Sequence, residues 1–484
     1  MMANKILQVL AVSLLFAIPS IRAQRQQTPS DSSSGNATTP LPPLVPADTN
    51  SNTGGAPAPA ARGLFIGPDT QPQDASQPLP DTHVLSDSVA MGVGSGRRNI
   101  FNISMHASQA VDTGITPGVV NSTTAFGGSL SLDQFWNRHH FTLEYGGAES
   151  LFHPSSYNNA AYHNFSASHE IRWNRWRLRL RDDVQVSPQA TFGGLDRGGS
   201  GLLSQIQVPD IALPSVAPGQ TILTGRADRL QNVALADVNY RTSPRGTLTF
   251  SGSYVWLHFL TSGYVDSRNA QGRVGYDYSL DSKNSIAVIY GYSQGDFSGS
   301  NNQIQSQNLQ FAYGRKITGR LALQVAAGPQ FLNRKNFGPQ SGQSWSWSAF
   351  SALSYRMRRT TYALQYAHAA STGSGVFLGS DNHSVTGSVT HNFTRNWSAS
   401  TNAGYSINRN LVSSNVVSNR FDTWSAGASL NRQQGRYLFF SLLYGYQQQS
   451  NTAGACPVVA CGSTEPRHIA SVTVNWHMRP VTFE

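Results

Sequence analysis

The sequence is short of charge. Only 12% of its 484 residues are Asp, Glu, Lys or Arg, and just four are lysine. That is about half the charged share of a typical soluble domain, which argues against a charge-solvated soluble enzyme. Long apolar runs are missing as well. Beyond residue 18 no stretch supplies the ~18 consecutive apolar residues that a membrane-crossing helix needs, so a helical membrane protein is excluded. Cysteine is almost absent, with Cys456 and Cys461 the two in the chain. Catalytic signatures are lacking too: there is no Gly-x-Ser-x-Gly, no Gly-x-x-x-x-Gly-Lys-Ser/Thr and no His-Glu-x-x-His, since His169-Glu170 continues Ile-Arg-Trp. No catalytic residue, cofactor or metal site is expected. The formal charge of +10 comes without a helix-turn-helix, zinc-finger or RNA-binding signature, so nucleic acid is not an expected partner. The basic residues are spread along the chain, which suits lipid headgroups or an anionic solute.

Aromatics, 10% of the chain, and 44 glycines are plentiful, and uncharged Ser, Thr, Asn and Gln take the place of charge. At the start, Lys5, the apolar run Ile6 to Ile18 and a cleavage region ending at Ala23 read as a secretory signal peptide over 1–23. Residues 24–97 follow, holding 11 of the 24 prolines among Ser, Thr, Gln, Ala and Asp. Such a segment buries too little apolar surface to offset its ordering entropy, and it reads as a disordered periplasmic linker. Its function is a spacer or a tether to a periplasmic partner. In an exported chain, Cys456 and Cys461, five positions apart, are expected to form a disulfide.

From residue 98 to 484 the period is two. In Ala270–Leu280 the even positions are Ala, Gly, Val, Tyr, Tyr and Leu, and the odd ones Gln, Arg, Gly, Asp and Ser. Ser384–Phe393 and Trp397–Tyr405 alternate in the same way, which is the pattern of a strand with one apolar and one polar face. About 18 such segments (16 to 20) follow one another. Tight turns such as Asn174-Arg175, Ser243-Pro244-Arg245 and Asp281-Ser282-Lys283 come after even-numbered strands. Longer loops come after odd-numbered ones, the longest at 188–228. Aromatics gather beside the tight turns: Phe101, Phe141, Trp173, Trp176, Tyr240, Tyr278, Tyr313, Tyr355, Tyr362, Phe393, Trp397, Tyr437 and Trp476. Rings favour the boundary between headgroup and hydrocarbon, so this row marks the periplasmic interface. The fold expected is all-β, a transmembrane antiparallel up-and-down β-barrel preceded by the Pro-rich segment.

In its turn rhythm, alternation and aromatic row, the region 98–484 resembles the porin-like outer-membrane β-barrels of Gram-negative bacteria. The resemblance is architectural. It implies an outer-membrane location, contact with lipid and lipopolysaccharide, and insertion by the barrel-assembly machinery. One departure is the end of the chain, where Pro480 interrupts the last strand and Glu484 follows Phe483.

The polar face then lines a lumen. Thr249, Ser251 and Ser253, Ser344, Ser346 and Ser348, Thr386, Ser388 and Thr390, and Ser398, Ser400 and Asn402 are too small to fill it, and barrels of 16–18 strands leave an aqueous channel. Charge concentrates in one place. With Trp176, Leu178 and Leu180 toward lipid, Arg177, Arg179 and Arg181 point inward, and Glu144, Glu170, Arg172 and Asp183 share that face. A two-residue turn at Asn174-Arg175 sets Arg172 opposite Arg177 and Glu170 opposite Arg179. The stripe reads either as a constriction that attracts anionic solutes or as a structural ion-pair ladder. The function expected is passive diffusion of small hydrophilic solutes with weak anion preference. The alternative is a surface receptor or adhesin acting through external loops without conduction.

Overall fold

A computed structural model describes residues 99–116, 119–153, 159–187, 228–261, 264–298, 301–371, 378–412, 420–451 and 466–483. The signal peptide, the linker and nearly all of the 188–228 connection lie outside these residues. The strands in the first half are β1 (Asn99–Thr116), β2 (Val119–Trp136), β3 (His139–His153), β4 (Ala160–Arg172), β5 (Trp176–Ser187) and β6 (Arg229–Arg241). Next come β7 (Gly246–Phe259), β8 (Ser267–Ser279), β9 (Asn284–Phe297), β10 (Gln303–Lys316), β11 (Leu321–Lys335) and β12 (Gly342–Arg356). The rest are β13 (Thr360–Ser371), β14 (Ser380–Asn392), β15 (Trp397–Asn410), β16 (Arg420–Gln434), β17 (Leu438–Asn451), β18 (Arg467–His477) and the short β19 (Val481–Phe483). No helix among the described residues is long and apolar enough to cross a membrane.

From β1 to β18 each strand pairs antiparallel with its chain neighbours, and β1 pairs with β18, so the sheet closes on itself. Closure removes the free edges that lipid would leave unsatisfied. Pro480 ends β18 because it has no N–H to donate. The strand nevertheless resumes as β19, which still pairs with β1 at Asn99↔Phe483, and Met478 N–H donates to Ile103 O at 2.9 Å across the break. These are the eighteen strands read from the alternation, with β18 and β19 sharing one position in the barrel.

Side chains close the tight turns by imitating backbone acceptors. Asp281 Oδ1 accepts from the Lys283 and Asn284 N–H groups at 2.6 and 2.8 Å, and Thr318 Oγ1 accepts from Arg320 and Leu321 at 3.2 and 3.1 Å. The first hairpin is long, because residues 110–116 and 119–123 continue β1 and β2. Its outer part is tied by Gln109 and its neighbours, with Gln109 Nε2 on Ser122 Oγ and Thr124 Oγ1 on Gln109 Oε1, both at 2.6 Å. Polar residues on the outward face there erase the period-two signal.

The expected Cys456–Cys461 disulfide is not borne out: no disulfide bond is present among the described residues, and Cys456 and Cys461 fall in 452–465, outside them. Their spacing allows a ring to close, but the Cα separation and Cβ directions decide whether one forms.

A second aromatic level, not picked out in the sequence, lies above the periplasmic row. The phenols of Tyr145, Tyr290, Tyr366, Tyr405 and Tyr444 each reach the next strand, meeting His163 (3.0 Å), Gln307 (3.5 Å), His383 (3.3 Å), Asp422 (3.5 Å) and His468 (2.8 Å). In every case the partner is two residues farther out than the tyrosine's register neighbour. Rings in the apolar band with hydroxyls directed outward are what a water–lipid boundary selects.

Two irregularities interrupt the wall. Between β10 and β11 the ladder skips Leu309–Gln310 and Gly328–Pro329, where proline withholds a donor. A Cβ on Gly328 would collide with the Leu309 carbonyl, so the backbones approach closely there. Gly328→Ala is expected to lower the stability of the folded barrel by about 1–3 kcal/mol through overpacking, read from urea unfolding in detergent. An unchanged midpoint would show that the strands part without cost.

The second irregularity is the β12–β13 seam. Pairing runs from Arg356↔Thr361 to Ala349↔His368 and stops. The pairs Asn333↔Gln343 and Arg334↔Gly342 keep β12 on β11, while Ala369–Ser371 keep to β14. The Ala370 N–H instead donates to Gln330 Oε1 of β11 at 3.3 Å. The strands overlap here, and Trp345 on the freed stretch of β12 is 76% exposed.

Candidate functional site

The face that carries the charged stripe is set by the pleat. On β4, Asn164, Ser166 and Glu170 are buried while their alternates are more open; on β5, Arg179, Asp183 and Gln185 are buried while Leu180 is exposed. Trp173 and Trp176 close the hairpin between them, with Trp173 N–H donating to Trp176 O at 2.8 Å. That turn places Arg172 opposite Arg177 and Glu170 opposite Arg179. Glu144 sits in the row Glu144–Ser166–Asp183 across β3, β4 and β5. All seven charged residues of the stripe thus meet on one stretch of wall.

Two ion pairs run along single strands. Glu170 bonds Arg172 on β4, and Arg181 Nε donates to Asp183 Oδ1 at 3.0 Å on β5. Residues two apart share a face of the pleat, so each pair lies on the inward side. The stripe is also well covered, with Arg179 5% exposed and Asp183 1%. Burial of charge is costly unless it is paired, and here acids and arginines interleave closely.

The register adds charges that are distant in the chain. Asp237 of β6 stands opposite Arg179, extending the row Glu170–Arg179–Asp237. Ser251 links Asp237 to Arg273 of β8, and Asp277, four residues along, shares the row Arg241–Thr247–Asp277 with Arg241 of β6. On the other flank, Asp133 of β2 shares the face and pairs with His140 at 2.6 Å. The inward patch then holds Arg172, Arg177, Arg179, Arg181, Arg241 and Arg273 against Asp133, Glu144, Glu170, Asp183, Asp237 and Asp277. Six acids face six arginines. The sequence signal for Asp237, Arg273 and Asp277 was their alternation parity, but their distance from the Arg-rich hairpin hid it.

Elsewhere the inner face mixes chemistry. Small polar residues bond laterally, as in Thr249 Oγ1 to Asn239 Oδ1 at 2.7 Å and Gln310 Nε2 to Ser348 Oγ at 2.7 Å. Apolar groups share it: Ala287, Ile289, Ala312 and Ala326 cluster with Phe350, and Val233, Leu235 and Val255 form a second cluster. The small polar groups read from the sequence therefore share the inner face with apolar ones. Outward, Trp176 packs on Tyr240 with centroids 4.3 Å apart, and Trp173, Phe393, Trp397 and Trp476 are exposed.

No protein-family model matches the chain, and no curated protein matches it. Solved structures do resemble it. The outer membrane protein opdK from Pseudomonas aeruginosa is 12% identical, with a TM-score of 0.42 over 80% of this chain and 99% of that one. OccK2 (OpdF) of the same organism is 10% identical, with a TM-score of 0.41 over 80% and 98%. OprD of that organism is 10% identical, with a TM-score of 0.39 over 79% and 96%. In architecture, this chain is a closed antiparallel β-barrel of eighteen strand positions. Its closed eighteen-strand ladder, outward apolar band and two aromatic levels are its own.

Proposed function

We propose that the barrel is an outer-membrane channel for passive diffusion of small hydrophilic solutes. The observation that carries this reading is the closed ladder itself. Eighteen strands enclose more space than side chains of serine and threonine size occupy, and those side chains recur on the inward face. Lipid and lipopolysaccharide would contact the outward band, and the assembly machinery would insert the barrel. The function is non-enzymatic.

For the charged stripe, burial and interleaving favour the ion-pair ladder that stiffens one wall. The anion preference expected from the sequence rested on an excess of one arginine. Counting Asp133, Asp237, Asp277, Arg241 and Arg273 removes that excess, so weak selectivity without an anion bias is the better reading.

Single-channel recording in a planar bilayer tests the proposal. Stable, long-lived open steps from purified full-length protein are expected. A folded barrel that inserts but never conducts would overturn the channel and favour a receptor or adhesin acting through external loops.

A further inference from the structure

Among the described residues, one group of three His, Asp or Glu side chains brings its ligand atoms together: His368, Asp381 and His383, within 4.8 Å of one another. We infer that these residues form a binding site for a zinc-class divalent transition-metal ion on the outward rim of the barrel, where the β12–β13 ladder ends.

The juxtaposition follows from register. His368 on β13 pairs directly with His383 on β14, and Asp381 lies two residues from His383 on the same face. The two imidazoles stack with centroids 3.8 Å apart and planes 11° from parallel. Between them Asp381 offers both carboxylate oxygens. His368 Nε2 is 2.9 Å from Oδ1, and His383 Nε2 is 3.8 Å from Oδ2. Two imidazoles and a carboxylate are a donor set suited to zinc, nickel or copper and poor for magnesium or calcium. Three protein ligands leave a fourth position for water.

Surrounding groups orient the ligands. The Tyr366 hydroxyl meets His383 Nδ1 at 3.3 Å; accepting the Nδ1 proton leaves the Nε2 lone pair free for an ion, as partners of metal-bound histidines do. Trp347 of β12 lies over His368 with centroids 4.2 Å apart, and His368 is 1% exposed. Asp381 and His383 remain partly open and provide the approach. Each stacked ring must turn about χ2 to aim its Nε2 at a shared ion, a motion within a broad torsional well.

Two features limit affinity. Binding displaces the proton between His368 Nε2 and Asp381. His368 Nδ1, where that proton would move, is buried without a hydrogen-bond partner among the described residues. Arg409 of β15 stands opposite Asp381 and adds an opposing charge. The site is therefore weaker than a closed structural zinc site, and binding should fall as pH drops and the imidazoles protonate.

The test uses the refolded full chain, with zinc titrated against a chromophoric chelator and cobalt used as a spectroscopic substitute. One zinc per chain and a cobalt d–d band are expected. His368→Ala with His383→Ala should abolish both. Tyr366→Phe should weaken zinc binding by about ten-fold or more, and His163→Ala, which removes a Tyr–His pair lacking a second imidazole, should leave it unchanged. Retained heat-modifiable gel mobility shows that each variant is folded. Equal zinc binding by wild type and the folded double variant, or no binding by wild type, would overturn the site. Either result leaves the channel reading to its own conductance test.

Discussion

Replacing Arg177, Arg179 and Arg181 together with serine is expected to make the channel clearly cation-selective. The wild-type inward patch sets six acids against six arginines; the variant leaves Arg172, Arg241 and Arg273 against the same six. A balanced patch becomes one with three excess negative charges. Exposed charges beyond about 8 Å are screened at physiological salt, but a patch lining a low-dielectric wall acts on ions passing close to it. The reversal potential under a salt gradient should move toward the cation limit and relax as salt rises. Adding Glu170→Gln and Asp183→Asn to the triple variant brings the imbalance back to one, so the reversal potential should retreat most of the way. The second variant also relieves acids that the first leaves unpaired. If both folded variants conduct with wild-type selectivity, permeating ions do not sense the patch, and its role is confined to the wall.

Asp183→Ala is expected to be among the most damaging single substitutions in that wall. Asp183 is almost fully buried, and Arg181, largely buried itself, donates to it at 3.0 Å. Removing one partner of a buried pair strands the other charge and costs about 3–5 kcal/mol. Removing both partners should cost less than the sum of the two single losses, because neither charge is left alone. A double-mutant cycle with Arg181→Ala, read from urea unfolding in detergent, measures that difference. Coupling of about 0.5–3 kcal/mol is the range for residues in contact. Additive losses would show that the pair is no more than two neighbouring side chains.

Much of the fold was legible before any coordinates. Alternation identifies a strand because the pleat repeats every two residues whatever surrounds it. Tight turns advertise themselves through Asp281 and Thr318, whose side chains supply acceptors within their own turns. The Glu170–Arg179 pairing was readable because the Asn174-Arg175 turn fixes the register of β4 on β5. Legibility fails where polar residues occupy both faces, as in the outer part of the β1–β2 hairpin. It also fails where apolar residues turn inward, as at Ile289 and Leu235.

What the sequence by itself determined is local: the strand count, the turn rhythm, the periplasmic aromatic row and the inward direction of the Arg177–Arg181 stripe. Each depends on neighbours a few residues apart. Only the tertiary structure decided which distant strands share a row. It brought Asp237 to Arg179 and Arg273 toward Asp237, and the added charges cancelled the arginine excess. It parted β12 from β13 beyond Ala349↔His368 and set His368 over His383. The physical reason is register. Each long connection leaves the sliding of one strand against the next unspecified, and that offset is settled by packing around the whole closed wall.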